Sequence, residues 1–306
     1  MLPHVRARNS DLNEMYPSRR MIHDNKLRVS RTKLLTAALA ILCVCLPASA
    51  KEIVTPSLDR GFRDLYDLNF GHAQKEFDDW ERAYPDNPVG PVSEAAGLLF
   101  SEFHRLGVLE SQFYESDSAF SSRKKPVSDP SIRDRFHAAL DRAESLARTQ
   151  LAKDPKDRDA LFAMTLSSGL KADYAALIEN RNLASLHLTK EAGAWAQRVL
   201  AVDPNCYDAH LATGFSKYIV GTMAAPVRWF LRLSGVSGDK QAGLAELQLT
   251  AERGHYLAPF ARILLAIAYV REKDKPRALQ LLASLHDEFP DNPLFVREMA
   301  RLEANR

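Results

Sequence analysis

One cysteine and one histidine stand at a spacing that could support nucleophilic catalysis. Cys206 follows Pro204-Asn205 at a predicted helix start, and His210 lies four residues later, which is one helical turn. A helix N-terminus lowers the pKa of a thiol and a neighbouring imidazole can act as a general base, so the pair is a candidate for thiol chemistry. The alternative, which we favour, is a partly buried cysteine in a turn between two helices.

Carboxylates and the other histidines offer further routes to chemistry. Acid–base pairs can be drawn from Asp78, Asp79 and Glu81, or from Glu246 and Glu252, but such groups without a pocket are more often a solvated helix face. The seven histidines beyond residue 50 show no His-x-x-x-His pair and no close Cys/His cluster, so we predict no metal site and no cofactor. Because no G-x-S-x-G elbow, glycine-rich phosphate loop or Rossmann fingerprint occurs either, we predict that the protein is not an enzyme.

Composition and charge narrow the classes of partner. Of the 306 residues, 46% are apolar and 26% are charged, which is ordinary for a globular protein. Residues 1–50 carry eight Lys or Arg and three Asp or Glu, which leaves 33 basic and 36 acidic residues and a net charge of about −3 for the remainder. Because nucleic-acid binding needs clustered surplus positive charge, we predict no nucleic-acid partner.

The N-terminal segment has the features of a secretory signal peptide. Basic residues precede the apolar run Leu34 to Leu46, Pro47 ends it, and Ala48-Ser49-Ala50 supplies the small residues that signal peptidase accepts. We expect residues 1–50 to be a signal peptide cleaved after Ala50, and a true start at Met21 would give it an ordinary length. An uncleaved signal anchor is the alternative, although the run is short for a membrane span, which needs ~20 residues. The predicted location is the periplasm of a bacterial cell or the exterior.

Helix–turn–helix junctions recur along the rest of the chain. The sequence Tyr84-Pro85-Asp86-Asn87-Pro88 returns as Phe289-Pro290-Asp291-Asn292-Pro293. A second pair consists of Ala152-Lys153-Asp154-Pro155 and Ala201-Val202-Asp203-Pro204, and Asp-Ala follows each copy. Proline disfavours helix in the residue before it, and a nearby Asp or Asn can cap the next helix, so all four segments are predicted to join two helices.

The segment from Ala258 to Pro290 gives the clearest repeat. With Pro290 at the last consensus position of a 34-residue tetratricopeptide repeat, the consensus positions of its two helices are filled by Leu265, Ala266, Tyr269, Ala278, Leu282 and Leu285. Only the Trp position departs, where this chain has Arg262. Residues 57–88 show a similar register through Phe70, Ala73, Phe77, Trp80 and Pro85. The chain therefore resembles the tetratricopeptide repeat family over most of residues 57–304.

Apolar residues recur at spacings of three and four along this region, which predicts helices and no strand. Eleven helices are expected, at residues 57–69, 71–84, 90–107, 131–153, 157–179, 182–202, 206–221, 239–253, 257–272, 275–288 and 293–304. The resemblance implies an all-α fold, a right-handed superhelix of antiparallel helix pairs (an α-solenoid), in which small residues at the crossings let backbones approach. We predict a single such domain over residues 51–306, with insertions at 108–130 and 218–238.

A superhelix of this kind presents a concave groove into which residues of each first helix point. By register, the groove contacts are expected from Leu161, His210, Lys217, Tyr218, Arg262 and Tyr269. The leading functional prediction is therefore a non-catalytic interaction or assembly scaffold of the cell envelope, which binds a peptide or protein segment in this groove.

The apolar stretch inside the second insertion supports a different prediction. Trp229, Phe230 and Leu233 stand beside Arg228 and Arg232, a pattern that allows a short amphipathic helix. Such a helix would contact a partner groove or a membrane surface, and the protein would then be a membrane-associated assembly factor. The structural alternative, which we favour, is that the segment folds back over the repeat core.

Overall fold

The computed structural model describes residues 57–109, 126–223 and 238–304. The chain divides into two compact units, Met1–Val54 and Thr55–Arg306, and every described residue belongs to the second. The predicted signal peptide, residues 1–50, lies outside the described residues. So do Trp229, Phe230 and Leu233, and most of the two predicted insertions.

The described part of the chain is all-helical. In chain order its helices are α1 Leu58–Tyr66, α2 Phe70–Ala83, α3 Val89–Arg105, α4 Pro130–Lys153, α5 Arg158–Leu177, α6 Asn182–Val202, α7 Ala209–Thr222, α8 Lys240–Arg253, α9 Ala258–Arg271, α10 Lys275–Glu288 and α11 Pro293–Ala304. Each predicted helix is present, and no end differs from its predicted position by more than three residues. None of these helices is both long enough and apolar enough to cross a membrane.

The two largest differences at helix ends have local causes. Helix α1 ends at Tyr66 because Leu68 takes a left-handed conformation with φ 62°, and Asn69 N donates to Asp64 O at 2.8 Å to close the turn. Helix α7 begins at Ala209 because the chain first makes a turn after Asp203, in which Cys206 N donates to Asp203 O at 3.1 Å.

Consecutive helices pack against each other through the array, and α5 also packs against α3 and α7. The predicted all-helical class is confirmed, and the packing of neighbours is consistent with a helical repeat. Small residues lie at the crossings, as expected: Ala73, Ala143, Ala196 and Ala278 are fully buried. Helix α5 has buried residues on most of its sides, because it is covered by several neighbouring helices.

The repeated Pro-Asp-Asn-Pro junctions form equivalent turns. Asn87 Oδ1 accepts a hydrogen bond from Val89 N at the start of α3, and Asn292 Oδ1 accepts one from Leu294 N at the start of α11, both at 2.9 Å. The two amide groups differ in their distant partners. Asn87 Nδ2 donates to Asp159 on α5, whereas Asn292 Nδ2 donates to the carbonyl of Tyr66 at the end of α1.

Residues of α1 contact the loops before and after the α9–α10 pair. The Tyr66 hydroxyl donates to the carbonyl of Tyr256 at 2.9 Å, and Asn292 Nδ2 donates to Tyr66 O at 2.7 Å. The ring of Phe62 stacks on that of Tyr256 at 4.8 Å, and Tyr66 packs on Phe289 at 5.4 Å. The first helix is therefore joined across the inner side of the array to the α8–α9 and α10–α11 loops.

Candidate functional site

A cavity of about 340 Å³ lies on the inner side of the array. Its lining comes mainly from α1, α3, α5, α7, α9 and α11, which are the first helices of the predicted pairs, while α6 and α10 add a few residues. The lining is mostly apolar and includes Phe62, Phe100, Leu166, Leu211, Phe215, Phe260, Leu264, Ile267 and Phe295. The repeat arrangement thus collects side chains from six helices around one apolar space.

Asp173 on α5 brings a carboxyl group into this cavity. Its side chain is part-exposed, because some of its surface faces the cavity, yet protein atoms surround it on all sides. Within the described ranges, no donor or cation contacts the carboxyl group. Burial raises the pKa of Asp173 to about 7, and no charged neighbour among the described residues contributes to the shift. At neutral pH, this group is therefore poised between its neutral and ionised forms.

Gly169 lies one helical turn before Asp173 and lines the same cavity. A Cβ atom built on Gly169 would meet nothing within 4 Å, so neither a close helix crossing nor a tight turn explains this glycine. Glycine inside a helix costs roughly 0.5–1 kcal/mol relative to alanine. Together, Gly169 and Asp173 make a face of α5 that has open space and an unpaired carboxyl group.

Asp208 is the second aspartate at the cavity, and both of its carboxylate oxygens accept hydrogen bonds. It stands directly before α7, where an aspartate would normally cap the helix, but its carboxylate accepts hydrogen bonds from the loop between α8 and α9. The donors are the backbone N–H groups of His255, Tyr256 and Leu257, at 2.8, 3.0 and 3.1 Å. Burial raises the pKa of Asp208, and the three donors oppose that shift. This aspartate holds a loop in place.

Charged residues of α11 contribute to another part of the cavity. Arg301 forms an ion pair with Glu298, and both side chains line the cavity together with Arg297, which is exposed. None of the three influences the pKa of Asp173. The charged side chains of α11 therefore do not affect the ionisation of the Asp173 carboxyl group on α5.

The groove residues predicted on α7 and α5 do not line the cavity. Lys217 forms an ion pair with Glu246 on α8, and both charges act on His210, whose pKa is lowered chiefly by burial. Tyr218 is buried, and Leu161 on α5 is fully buried in the core. The side chains of Lys217 and His210 therefore lie together where α7 packs against α8.

The groove residues predicted on α9 also have intramolecular contacts. Arg262 forms an ion pair with Glu288 on α10, and its side chain is 15% exposed. Tyr269 packs against the C-terminal core, with the Arg277 guanidinium 4.6 Å from its ring centre. Neither residue lines the cavity, so the structure places both at the α9–α10 packing surface.

Cys206 lies in a turn between two helices and is buried, as in the alternative that we favoured. The prediction that a helix N-terminus lowers its thiol pKa is wrong, because α7 begins three residues later and the thiol is buried. Burial raises the pKa of Cys206, and the nearby Arg158 guanidinium only opposes this. The shift is opposite to that of an activated nucleophile.

The candidate acid–base residues are engaged in helix-surface contacts. Asp79 pairs with Lys75 and Arg82 along α2. Glu81 pairs with Arg142 of α4, and burial raises its pKa to about 7. Across residues 57–109, 126–223 and 238–304, no three His, Cys, Asp or Glu side chains converge as they would around a metal ion.

The α5 face was not predicted from the sequence. The available signal was a glycine and an aspartate one turn apart inside a predicted helix, at Gly169 and Asp173. Comparison with known proteins adds no assignment, since the chain matches no protein-family model and no curated protein.

Proposed function

We propose that the protein is a non-catalytic binding protein whose interior cavity holds an apolar ligand. The observation that carries this proposal is the apolar space of about 340 Å³ that is lined mainly by six first helices. Ligand pockets are typically apolar spaces of about 300–1,000 Å³ with a few placed polar groups, which is the composition found here. An apolar cavity of roughly 150 Å³ already binds benzene, so a larger molecule has room in this one.

The class of scaffold is part of the same proposal. We infer that the helix pairs are tetratricopeptide-like and wind in a right-handed superhelix, and the consensus residues between Ala258 and Pro290 support this. Export to the bacterial envelope is supported by the signal-peptide features of residues 34–50. The ligand would then be met outside the cytoplasm.

The interior is a better candidate site than an open groove. Tyr66 on the inner side of the array contacts Tyr256 and Asn292, and the groove candidates Lys217 and Arg262 already pair with acidic side chains. A peptide or protein partner, and membrane contact through Trp229, Phe230 and Leu233, stay predictions. The latter three residues lie outside the described part of the chain.

A filled-cavity variant tests the proposal. The purified protein is titrated with the neutral apolar dye N-phenyl-1-naphthylamine, whose fluorescence rises in an apolar site. Gly169→Leu places a side chain in the cavity, and Gly71→Leu is the matched control, because Gly71 is an exposed helical glycine that also has open space around its Cβ position.

We expect wild type and Gly71→Leu to bind the dye alike and saturably, and Gly169→Leu to bind at least about tenfold more weakly, the loss equivalent to ~1.4 kcal/mol. Unchanged far-ultraviolet circular dichroism and melting would show that both variants fold. Equal dye binding by all three proteins would contradict the proposal.

A further inference from the structure

We propose that Asp173 recognises a protonated amine, so that the ligand is an apolar amine with its ammonium group against this carboxylate. The inference rests on the proposed function, namely that the cavity holds an apolar ligand. It adds the chemical class of that ligand and the residue that selects it.

The carboxylates that are buried in the described part of the chain have partners within the fold. Glu102 is 1% exposed and accepts hydrogen bonds from Arg105 and from the backbone N–H of Asp129. Glu144 accepts from Ser167 and pairs with Arg148. Asp208 accepts three backbone hydrogen bonds. In each case, folding supplies the partners that a buried carboxylate requires.

Asp173 departs from this pattern. No described residue donates to its carboxyl group, which is part-exposed to the cavity instead of being paired within the fold. The carboxyl group faces the cavity, and Gly169 one turn away keeps space beside it. A partner that arrives with the ligand explains both features.

The missing partner is a cation that also donates hydrogen bonds. Among the described residues, the other charged groups that line the cavity are Asp208, which is engaged by the α8–α9 loop, and Arg297, Glu298 and Arg301 on α11. The pKa of Asp173 responds to none of them, so no cation in the described part of the chain neutralises the ionised carboxylate. An ammonium group supplies both charge and donors, whereas a carboxylate ligand would place two anions together and an alcohol would leave the charge uncompensated.

A pH dependence follows from the same arrangement. Below the pKa of about 7, Asp173 is protonated and must lose its proton before it pairs with an ammonium group. A simple amine stays protonated up to about pH 10. Affinity for the amine should therefore rise with pH and be about tenfold higher at pH 8 than at pH 6, while the affinity for a neutral ligand should not rise.

The test compares octylamine with octan-1-ol, which share a chain and differ in the head group. Affinities are measured at pH 6 and pH 8 by displacement of N-phenyl-1-naphthylamine and by calorimetry. The proteins are wild type, Asp173→Asn and the control Asp141→Asn, in which the altered aspartate is an exposed residue of α4. Asparagine preserves the shape of the side chain and removes the charge.

We expect wild type and Asp141→Asn to bind octylamine about tenfold to a hundredfold more tightly than octan-1-ol at pH 8. Asp173→Asn should lose that preference and keep its affinity for octan-1-ol within about twofold of wild type. Equal binding of the two probes by wild type, or an unchanged preference in Asp173→Asn, would overturn the amine assignment. The cavity function would survive that result, because octan-1-ol would still bind, whereas no binding of the dye or of either probe by wild type would overturn both.

Discussion

Two aspartates at the same cavity have opposite relations to the fold. Asp208, directly before α7, is 5% exposed and accepts three backbone hydrogen bonds from the α8–α9 loop. Asp173 on α5 is surrounded by protein but accepts none from the described residues. The loop held by Asp208 carries Tyr256, to which Tyr66 of α1 donates its hydroxyl hydrogen, so this carboxylate helps to join α1 to the α8–α9 loop. Asp173 contributes nothing comparable.

Asp208 stabilises the interior of the fold, whereas Asp173 is available to a ligand. Burial raises the pKa of both aspartates, but backbone donors oppose the shift at Asp208 and no described residue opposes it at Asp173. One glycine from each region shows the same difference between close packing and open space. Gly243 on α8 lies against the backbone of α7, whereas Gly169 on α5 faces open space. Packing therefore explains the α7–α9 region and leaves the α5 face unexplained without a ligand.

The largest expected effect is that of removing the Asp208 carboxylate. Asp208→Ala leaves three backbone N–H groups without an acceptor, so we expect the free energy of unfolding to fall by about 3–5 kcal/mol in urea denaturation. Asp159→Ala is the control, since Asp159 occupies the corresponding place in the repeated junction sequence, is 43% exposed and accepts from the side chains of Asn87 and Arg158. We expect the control to lose no more than about 1 kcal/mol. Similar losses for both variants would remove the structural role assigned to Asp208.

The next effect is the part of the pH dependence of stability that the Asp173 carboxyl group produces. Its pKa rises from 3.8 to about 7 on folding, so the folded state holds a proton that the unfolded state has released across this range. Stability is therefore lost as pH rises from about 4 to 7 and levels off above 7. Between pH 5 and 7.5, wild type should lose about 2–3 kcal/mol more than Asp173→Asn. Urea denaturation at several pH values measures both, and parallel stability curves would show that Asp173 has no raised pKa.

A glycine at a close helix crossing should tolerate no side chain. A Cβ atom on Gly243 would lie 2.5 Å from Tyr218 N and 2.7 Å from Gly214 O, and both are backbone atoms of α7. Gly243→Ala should therefore lower the free energy of unfolding by about 1–3 kcal/mol. If thermal and urea denaturation show no loss, α7 and α8 do not pack as closely as described.

The smallest expected effect has the opposite sign. Gly169→Ala adds a methyl group that meets no atom within 4 Å and favours the helical conformation of α5. We expect it to raise the free energy of unfolding by about 0.5–1 kcal/mol. A loss of stability in the same denaturation assay would mean that the space at Gly169 is filled by protein atoms.

The helices were predictable because their signals are local. Apolar spacing defines each helix, and the Pro-containing junctions mark where each pair turns, so even the turns at Asn87 and Asn292 follow from the repeated motif. The distant partners of the same two amides could not be predicted. Asn87 contacts Asp159 on α5 and Asn292 contacts Tyr66 at the end of α1, and this second contact joins the first helix to the α10–α11 loop.

The candidate site was harder to predict for a related reason. Lys217 and Arg262 look available for a ligand in the sequence, but Glu246 and Glu288, on the following helices, pair with them. Asp173 is unusual because no described residue pairs with its carboxyl group. This depends on how all of the surrounding helices pack. The spacing of residues in the sequence does not show whether a side chain lacks a partner in the folded protein.

The central claim is that the interior cavity binds the ligand, and a crystal structure with 8-bromooctylamine tests it most directly. Anomalous scattering locates the bromine independently of the protein density. We expect a bromine peak among the apolar side chains of α5 and α9, with the amine nitrogen about 3 Å from the Asp173 carboxylate. Bromine peaks confined to the outer surface, with none inside the cavity, would contradict the claim.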